Sequence, residues 1–221
     1  MALDRLVSRL AQRFFEALYG PAVPLYDWVS RVGFAGEWSR WQRTALRFIR
    51  QGPTLEIGPG TGDLLPLLLE HGLAPCGLEP SPRMIARARR KLARRGVAPP
   101  PPIVRGRAEA LPFGDARFGA VVATFPSPYI LRPATWAEIA RVLRPGGDVA
   151  IVMGGELAPH GLGRAARARV YRILYGGQGQ RRQEQPSPPP PSVQDRLLNL
   201  REETVATAHG RAFLLVGRKP W

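Results

Sequence analysis

The run Leu55-Glu56-Ile57-Gly58-Pro59-Gly60-Thr61-Gly62 restricts what this chain can fold into more than any other segment. A short apolar strand, Thr54 to Ile57, enters three alternating glycines, and a leucine-rich helix, Leu64 to Glu70, leaves them. Glycine at a strand-to-helix junction lets the backbone approach a ligand closely and turns free N–H groups toward a negatively charged group. The next strand, Pro75 to Glu79, ends on a carboxylate 21 residues after Gly58 (79 − 58). An acidic side chain at that place can accept hydrogen bonds from both hydroxyls of a ribose. Together these features fit an α/β unit with a nucleoside-bearing ligand at the carboxyl ends of its strands, a dinucleotide included.

The third glycine separates the candidate ligands. A dinucleotide fingerprint, G-x-G-x-x-G from Gly58, needs glycine at position 63, and the chain has Asp63 there. A carboxylate near the helix N-terminus is expected to crowd a pyrophosphate. The methionine zwitterion of S-adenosylmethionine (SAM) suits the G-x-G-x-G spacing better, with Glu56 two positions before the first glycine.

The rest of the chain continues the alternation. Ser81-Pro82 supplies an N-cap and a proline at the first helical position. On the helix that follows, Ile85, Ala88 and Leu92 face inward, and Arg83, Arg87, Arg90 and Arg94 form a basic stripe. Strands are predicted at Ile103-Val104, Phe118 to Thr124 and Asp148 to Met153, with a helix over Ala134 to Leu143. Such order implies parallel strands joined by right-handed helical crossovers. Leu200 to Thr207 and Ala212 to Gly217, around a turn at His209-Gly210, read as a β-hairpin. Gln194 to Leu200 can begin as a helix, and His71 reads as a helix C-terminal residue.

Upstream, helical spacing covers residues 3 to about 18 and about 37 to 50, the latter with Trp38, Trp41, Ala45 and Phe48 on one stripe. Residues 1–50 are expected to be an N-terminal helical cover, and 51–221 the ligand-binding domain. Within the latter, a basic helix is expected at about 162 to 175, then a flexible Pro/Gly-rich loop over 176–192.

Composition excludes some function classes. The single cysteine, Cys76, cannot form an internal disulfide or a cysteine-built zinc site. No apolar run approaches the roughly 18 residues of a membrane span. Charges at Asp4, Arg5, Arg9 and Arg13 interrupt any signal-peptide core, so a cytoplasmic protein without a metal is expected. The net charge of +15 invites an anionic partner, RNA or a membrane surface. Of 32 basic residues, however, only Lys91 and Lys219 are lysine. That arginine bias is also what a GC-rich genome imposes on solvated faces.

Five blocks carry a family resemblance: Leu55 to Gly62, Gly77 to Ser81, Gly106 to Phe113, Phe118 to Phe125 and Glu138 to Gly147. In this order and spacing the chain resembles the class I SAM-dependent methyltransferases, in the branch of the ubiquinone/menaquinone C-methyltransferases. The resemblance implies a Rossmann-like seven-stranded sheet with helices on both faces and a C-terminal β-hairpin. It implies that Glu56 and the backbone of Gly58, Pro59, Gly60 and Gly62 hold the methionine end of SAM. By the same resemblance Glu79 binds the ribose, Pro80 and Met84 pack on the adenine, and Ala108 with its neighbours meets the adenine edge. Phe125 would lie near the transferable methyl. Arg107 departs from the family, which often has Asp there to accept from the adenine amino group. Its backbone or Glu109 has to serve instead. Gly119 replaces another frequent Asp.

On the acceptor side, Thr124-Phe125-Pro126-Ser127-Pro128-Tyr129 stands where enzymes that amino-methylate DNA or protein glutamine carry an Asn/Asp-Pro-Pro-Tyr/Phe run. Base N-methylation is therefore disfavoured, and a small or lipophilic acceptor is expected. Tyr129 and His160 are the candidate catalytic residues, with Tyr26 a further candidate for the acceptor site. The basic amphipathic helices at 3–18 and 170–175 suggest peripheral contact with anionic lipid. Two other readings stay open: an RNA methyltransferase using the arginine stripe, and a non-catalytic SAM-binding protein.

Overall fold

The computed structural model describes residues 36–157 and 198–221. The helices expected at 3–18 and 162–175, the loop at 176–192, Tyr26 and His160 lie outside the described residues. Internal contacts divide the chain into Met1–Trp38 with Leu157–Pro190, and Ser39–Glu156 with Pro191–Trp221. The second unit contains the site described below.

The elements in chain order are helix α1 (Glu37–Arg43), a 3₁₀ turn (Thr44–Phe48), β1 (Thr54–Ile57), α2 (Leu65–Glu70), β2 (Pro75–Glu79), α3 (Pro82–Arg94) and β3 (Ile103–Arg105). They continue with β4 (Phe118–Thr124), a 3₁₀ turn (Pro128–Leu131), α4 (Pro133–Val142), β5 (Leu143–Leu157), β6 (Arg201–Thr207) and β7 (Gly210–Arg218). The seven strands form one sheet in the order β3-β2-β1-β4-β5-β7-β6. Strands β1, β2, β3, β4 and β5 pair in parallel, and β6 pairs antiparallel with β7. This is the expected seven-stranded Rossmann-like sheet with its C-terminal hairpin, and His209 lies in the hairpin turn.

The central strands are apolar because helices cover both faces. All four residues of β1 are buried, as are six of the seven in β4. Between β4 and α4, Trp136 lies in the core with its indole N–H donating to the Ile130 carbonyl at 2.7 Å. On β5, Asp148 is buried and accepts from the Arg50 backbone N–H and from the guanidinium groups of Arg50 and Arg218. Three distant segments thus meet on one carboxylate.

Two local departures have physical reasons. The stretch expected to be helical over 37–50 is α-helical only to Arg43 and tightens to 3₁₀ over Thr44–Phe48. There the Thr44 hydroxyl donates to the Trp41 carbonyl at 2.5 Å, a local bond that competes with the regular ladder. Strand β5 begins at Leu143, directly after α4, with a register irregularity against β4 at Phe118/Ala120. It exceeds the expected six residues at both ends: Pro145-Gly146-Gly147 is taken up as an irregular entry rather than a separate turn, and the strand runs on past Met153 to Leu157.

Candidate cofactor-binding site

The loop after β1 has the backbone its glycines promise. Gly58, Gly60 and Gly62 have φ of +73°, +54° and +75°, in the left-handed region that side-chain-bearing residues rarely adopt. The turn is closed by the Gly62 N–H donating to the Pro59 carbonyl at 2.7 Å. It is anchored to β2 by the Gly58 N–H donating to the Leu78 carbonyl at 2.8 Å.

Glu56 lies beneath this loop, paired in register with Gly77 on β2 and Val122 on β4. Its side chain is 1% exposed, and Oε2 has no hydrogen-bond partner among the described residues. Burial, then the negative charges of Asp63 and Glu79, push its carboxyl up to about 8. A buried, unpaired carboxylate oxygen beside a glycine cradle is a receptor for a cationic donor.

Glu79 ends β2 next to it. The backbone N–H groups of Ser81 and Gly60 donate to its carboxylate, the former at 3.0 Å to Oε1. Burial nevertheless raises its pKa above the ordinary value. Met84, one turn into α3, is buried with its methyl group next to Gly60, while Pro80 is exposed at the rim.

Asp63 does something the sequence did not suggest. Its carboxylate accepts from Lys91 Nζ at 2.6 Å, from Arg95 at 3.1 Å and from the Thr61 hydroxyl at 3.0 Å. Burial works to raise its pKa, but Lys91 outweighs that, aided by Thr61 and Arg95, and holds it below the usual carboxylate value. The charge is thus turned onto α3, and α2 begins only at Leu65. Asp63→Asn is expected to loosen the loop and to lower the pKa of Glu56 by removing a neighbouring negative charge. Carboxyl NMR titration of Glu56 in the variant would show the downward shift; an unchanged titration would disprove the coupling.

At the other end, the 106–113 segment is stapled to α4. Arg141 pairs with Glu138 and donates to the carbonyls of Leu111 and Phe113, while Glu138 accepts from the Leu111 N–H at 2.6 Å. Two separate sequence blocks are therefore one structural unit. Within the segment Ala108 is buried, but the Arg107 side chain is 73% exposed and reaches toward Glu109. Glu109 also pairs with Arg132, so its carboxylate is already engaged by two guanidinium groups. The backbone of the segment is left as the more available acceptor.

Phe125 follows β4 with φ +51°, a conformation costly for a non-glycine residue, and its N–H donates to the Val152 carbonyl. Its ring lies 6.2 Å from that of Trp41, tilted by 56°, and Gln42 donates to the neighbouring Thr124 hydroxyl. The Tyr129 hydroxyl donates to the Ile57 carbonyl at 3.2 Å and faces Gly58, where an added Cβ would also sit 3.2 Å from it. The structure thus brings together Glu56, Gly58, Gly60, Glu79, Met84, Phe125 and Tyr129 around the ends of β1, β2 and β4. It adds Trp41, Gln42 and Lys91, whose tie to Asp63 spans 28 residues of sequence (91 − 63) and leaves no local signal.

Residues 55–151, the segment that carries the loop and the next four strands, match the methyltransferase domain family. The match is confined to that segment, and the seven-stranded sheet around it has the fold of the class I SAM-dependent methyltransferases. Phosphatidylethanolamine N-methyltransferase of Cereibacter sphaeroides is 38% identical to it over 58% of this chain and 62% of the relative. A ubiquinone/menaquinone biosynthesis C-methyltransferase of Geobacter sulfurreducens is 30% identical over 61% of this chain and 56% of the relative. The chain thus spans less than two thirds of the length of these curated relatives. A solved SAM-dependent methyltransferase from Thermotoga maritima shares the fold, with a TM-score of 0.59 at 16% identity over 92% of this chain and 98% of that one. SAM is the cofactor of the methyltransferase domain, and the orphaned Glu56 oxygen beside the glycine loop fits its cationic methionine end. No described helix is long and apolar enough to cross a membrane.

Proposed function

We propose that this protein transfers a methyl group from SAM to a small lipophilic acceptor. The observation that carries the reading is the buried Glu56 carboxylate, unpaired at Oε2, under a left-handed glycine turn and beside Glu79. In this reading Glu56 and the loop backbone hold the methionine end, Glu79 the ribose hydroxyls, and Met84 with the backbone around Ala108 the adenine. Bound SAM supplies an electrophilic methyl group on a sulfonium. The chain's own residues position the acceptor and exclude water. Trp41 and Phe125 form the apolar wall next to the end of β4, and the Tyr129 hydroxyl fixes the Ile57 carbonyl at the start of the loop.

The lipophilic acceptor is supported by the two relatives named above, whose names specify a phospholipid and a quinone substrate, and by the aromatic character of this wall. Calorimetric titration with SAM and S-adenosylhomocysteine, followed by transfer of labelled methyl to phosphatidylethanolamine or a demethylated quinone, tests it. Binding of both nucleosides and transfer to one of these acceptors is the expected result. Transfer to RNA alone would overturn the acceptor class, and failure to bind either nucleoside would overturn the function.

Tyr129→Phe separates positioning from chemistry. Loss of one neutral hydrogen bond, about 0.5–1.5 kcal/mol, is expected to raise KM for SAM by roughly 2- to 12-fold with little change in kcat. A large fall in kcat at unchanged KM would instead place the hydroxyl at the reacting atoms.

A further inference from the structure

The outer face of α3 and the adjoining edge of β3 have a feature that cofactor binding does not use. A groove of about 300 Å³ is lined by Pro82, Ile85, Ala86 and Arg89 of α3 and by Ile103 and Arg105 of β3. It shares no residue with the glycine loop. Its floor is aliphatic, and Arg89, which also donates to the Ile103 carbonyl, and Arg105 stand on its wall. At helical spacing, the exposed Ala86 and Ala93 run beside the groove, and beyond them come exposed Arg83, Arg90 and Arg94. Two cationic rows therefore flank an uncharged strip. Helix α3 has no acidic residue, and Asp63 is spent on Lys91 and Arg95. Arg83, Arg90, Arg94 and Arg105 have no carboxylate partner among the described residues.

We propose that this face docks the protein on anionic phospholipid, with a lipid phosphate between Arg89 and Arg105 and the adjoining apolar part of the lipid in the groove. The remaining arginines face neighbouring headgroups. Charge complementarity and the aliphatic floor favour this occupant over RNA. Single-stranded RNA is held by aromatic side chains that stack on its bases, and no aromatic residue lines the groove or lies on α3. The inference does not depend on the acceptor assigned above, because vesicle binding is measured without SAM.

Co-sedimentation of the full chain with phosphatidylcholine vesicles, with and without phosphatidylglycerol, tests it. Binding is expected only to the anionic vesicles, weakened by salt. The pair Arg90→Ala and Arg94→Ala is expected to reduce it roughly 30-fold, at about fivefold for each arginine removed from an anionic leaflet. Ala86→Glu, which puts a carboxylate at the groove, is expected to reduce it as well. Arg117→Ala with Arg144→Ala removes the same charge from exposed positions ahead of β4 and at the start of β5, and should leave binding unchanged. All of these positions are exposed, and melting temperatures would confirm that the variants fold. Equal losses in both pairs would reduce the effect to net charge and overturn the proposal. So would an absence of vesicle binding, or tighter binding to RNA than to anionic vesicles.

Discussion

Glu56→Gln is expected to weaken SAM binding by roughly 10- to 150-fold, the loss of a hydrogen bond to a charged group of about 1.5–3 kcal/mol. Glutamine keeps the shape and removes the charge, so the change reports the carboxylate itself. The pH dependence is the more specific signature. Burial and two neighbouring carboxylates hold Glu56 protonated up to about pH 8 in the ligand-free protein. A cationic ligand favours the ionised form, so binding below that pH releases a proton. Affinity then rises with pH by up to about tenfold per unit and levels off above pH 8. In Glu56→Gln the profile should be flat in this range.

Folding stability moves the other way. The folded carboxyl titrates near 8 and the unfolded one near 4.5. Its contribution is therefore fully present below about pH 4.5 and is lost as pH rises to about 8. Ligand-free melts of Glu56→Gln should lack that decline. Calorimetry in two buffers of different ionisation enthalpy counts the released proton. Wild-type and variant profiles of the same slope would remove Glu56 from the site.

The second large effect is at Trp41→Ala. The indole is 1% exposed and lies flat over Gly155 of β5, where a Cβ would approach Trp41 Cδ2 to 2.3 Å. Deleting it is expected to cost about 3–5 kcal/mol and to lower Tm by roughly 6–20 °C. Phe125 loses its neighbour at the same time, so transfer should fall beyond what stability explains. Gly155→Ala alone overpacks the same contact and should cost about 1–3 kcal/mol. In the Trp41→Ala background it should cost little, because the space has been opened. Additive melts for the double variant would show that the two residues do not share this contact.

How much of this was legible in the sequence depended on whether a signal was local. Gly58, Gly60 and Gly62 could be read because their spacing is itself the backbone requirement, and Glu79 because it ends a short strand. The hairpin could be read because its turn and both strands are contiguous. Asp63 was read from its own neighbourhood as a charge near the helix N-terminus. Its partners, Lys91 on the next helix and Arg95 at that helix's C-terminal cap, are brought to it only by folding. Likewise Trp41 fell on an apolar stripe, but nothing near it in sequence points to Gly155 or Phe125. The 3₁₀ turn at Thr44 depends on one hydroxyl choosing a carbonyl three residues back, a contest that hydrophobic periodicity does not register. Glu109 was an available acceptor until Arg132, from a different loop, took it.

The order of the strands has a last consequence, for self-association. A sheet is open at its first and last strand, and exposed edges template the addition of other chains. Here one edge is β3, only three residues long, preceded by the proline run Pro99 to Pro102 and ending on exposed Arg105. The other is β6, which begins with Arg201, Glu202 and Glu203. Short length and proline guard one side, and adjacent opposite charges guard the other. The apolar central strands β1 and β4, which would aggregate if they stood at an edge, are third and fourth in the order of seven, with at least two strands on either side of each.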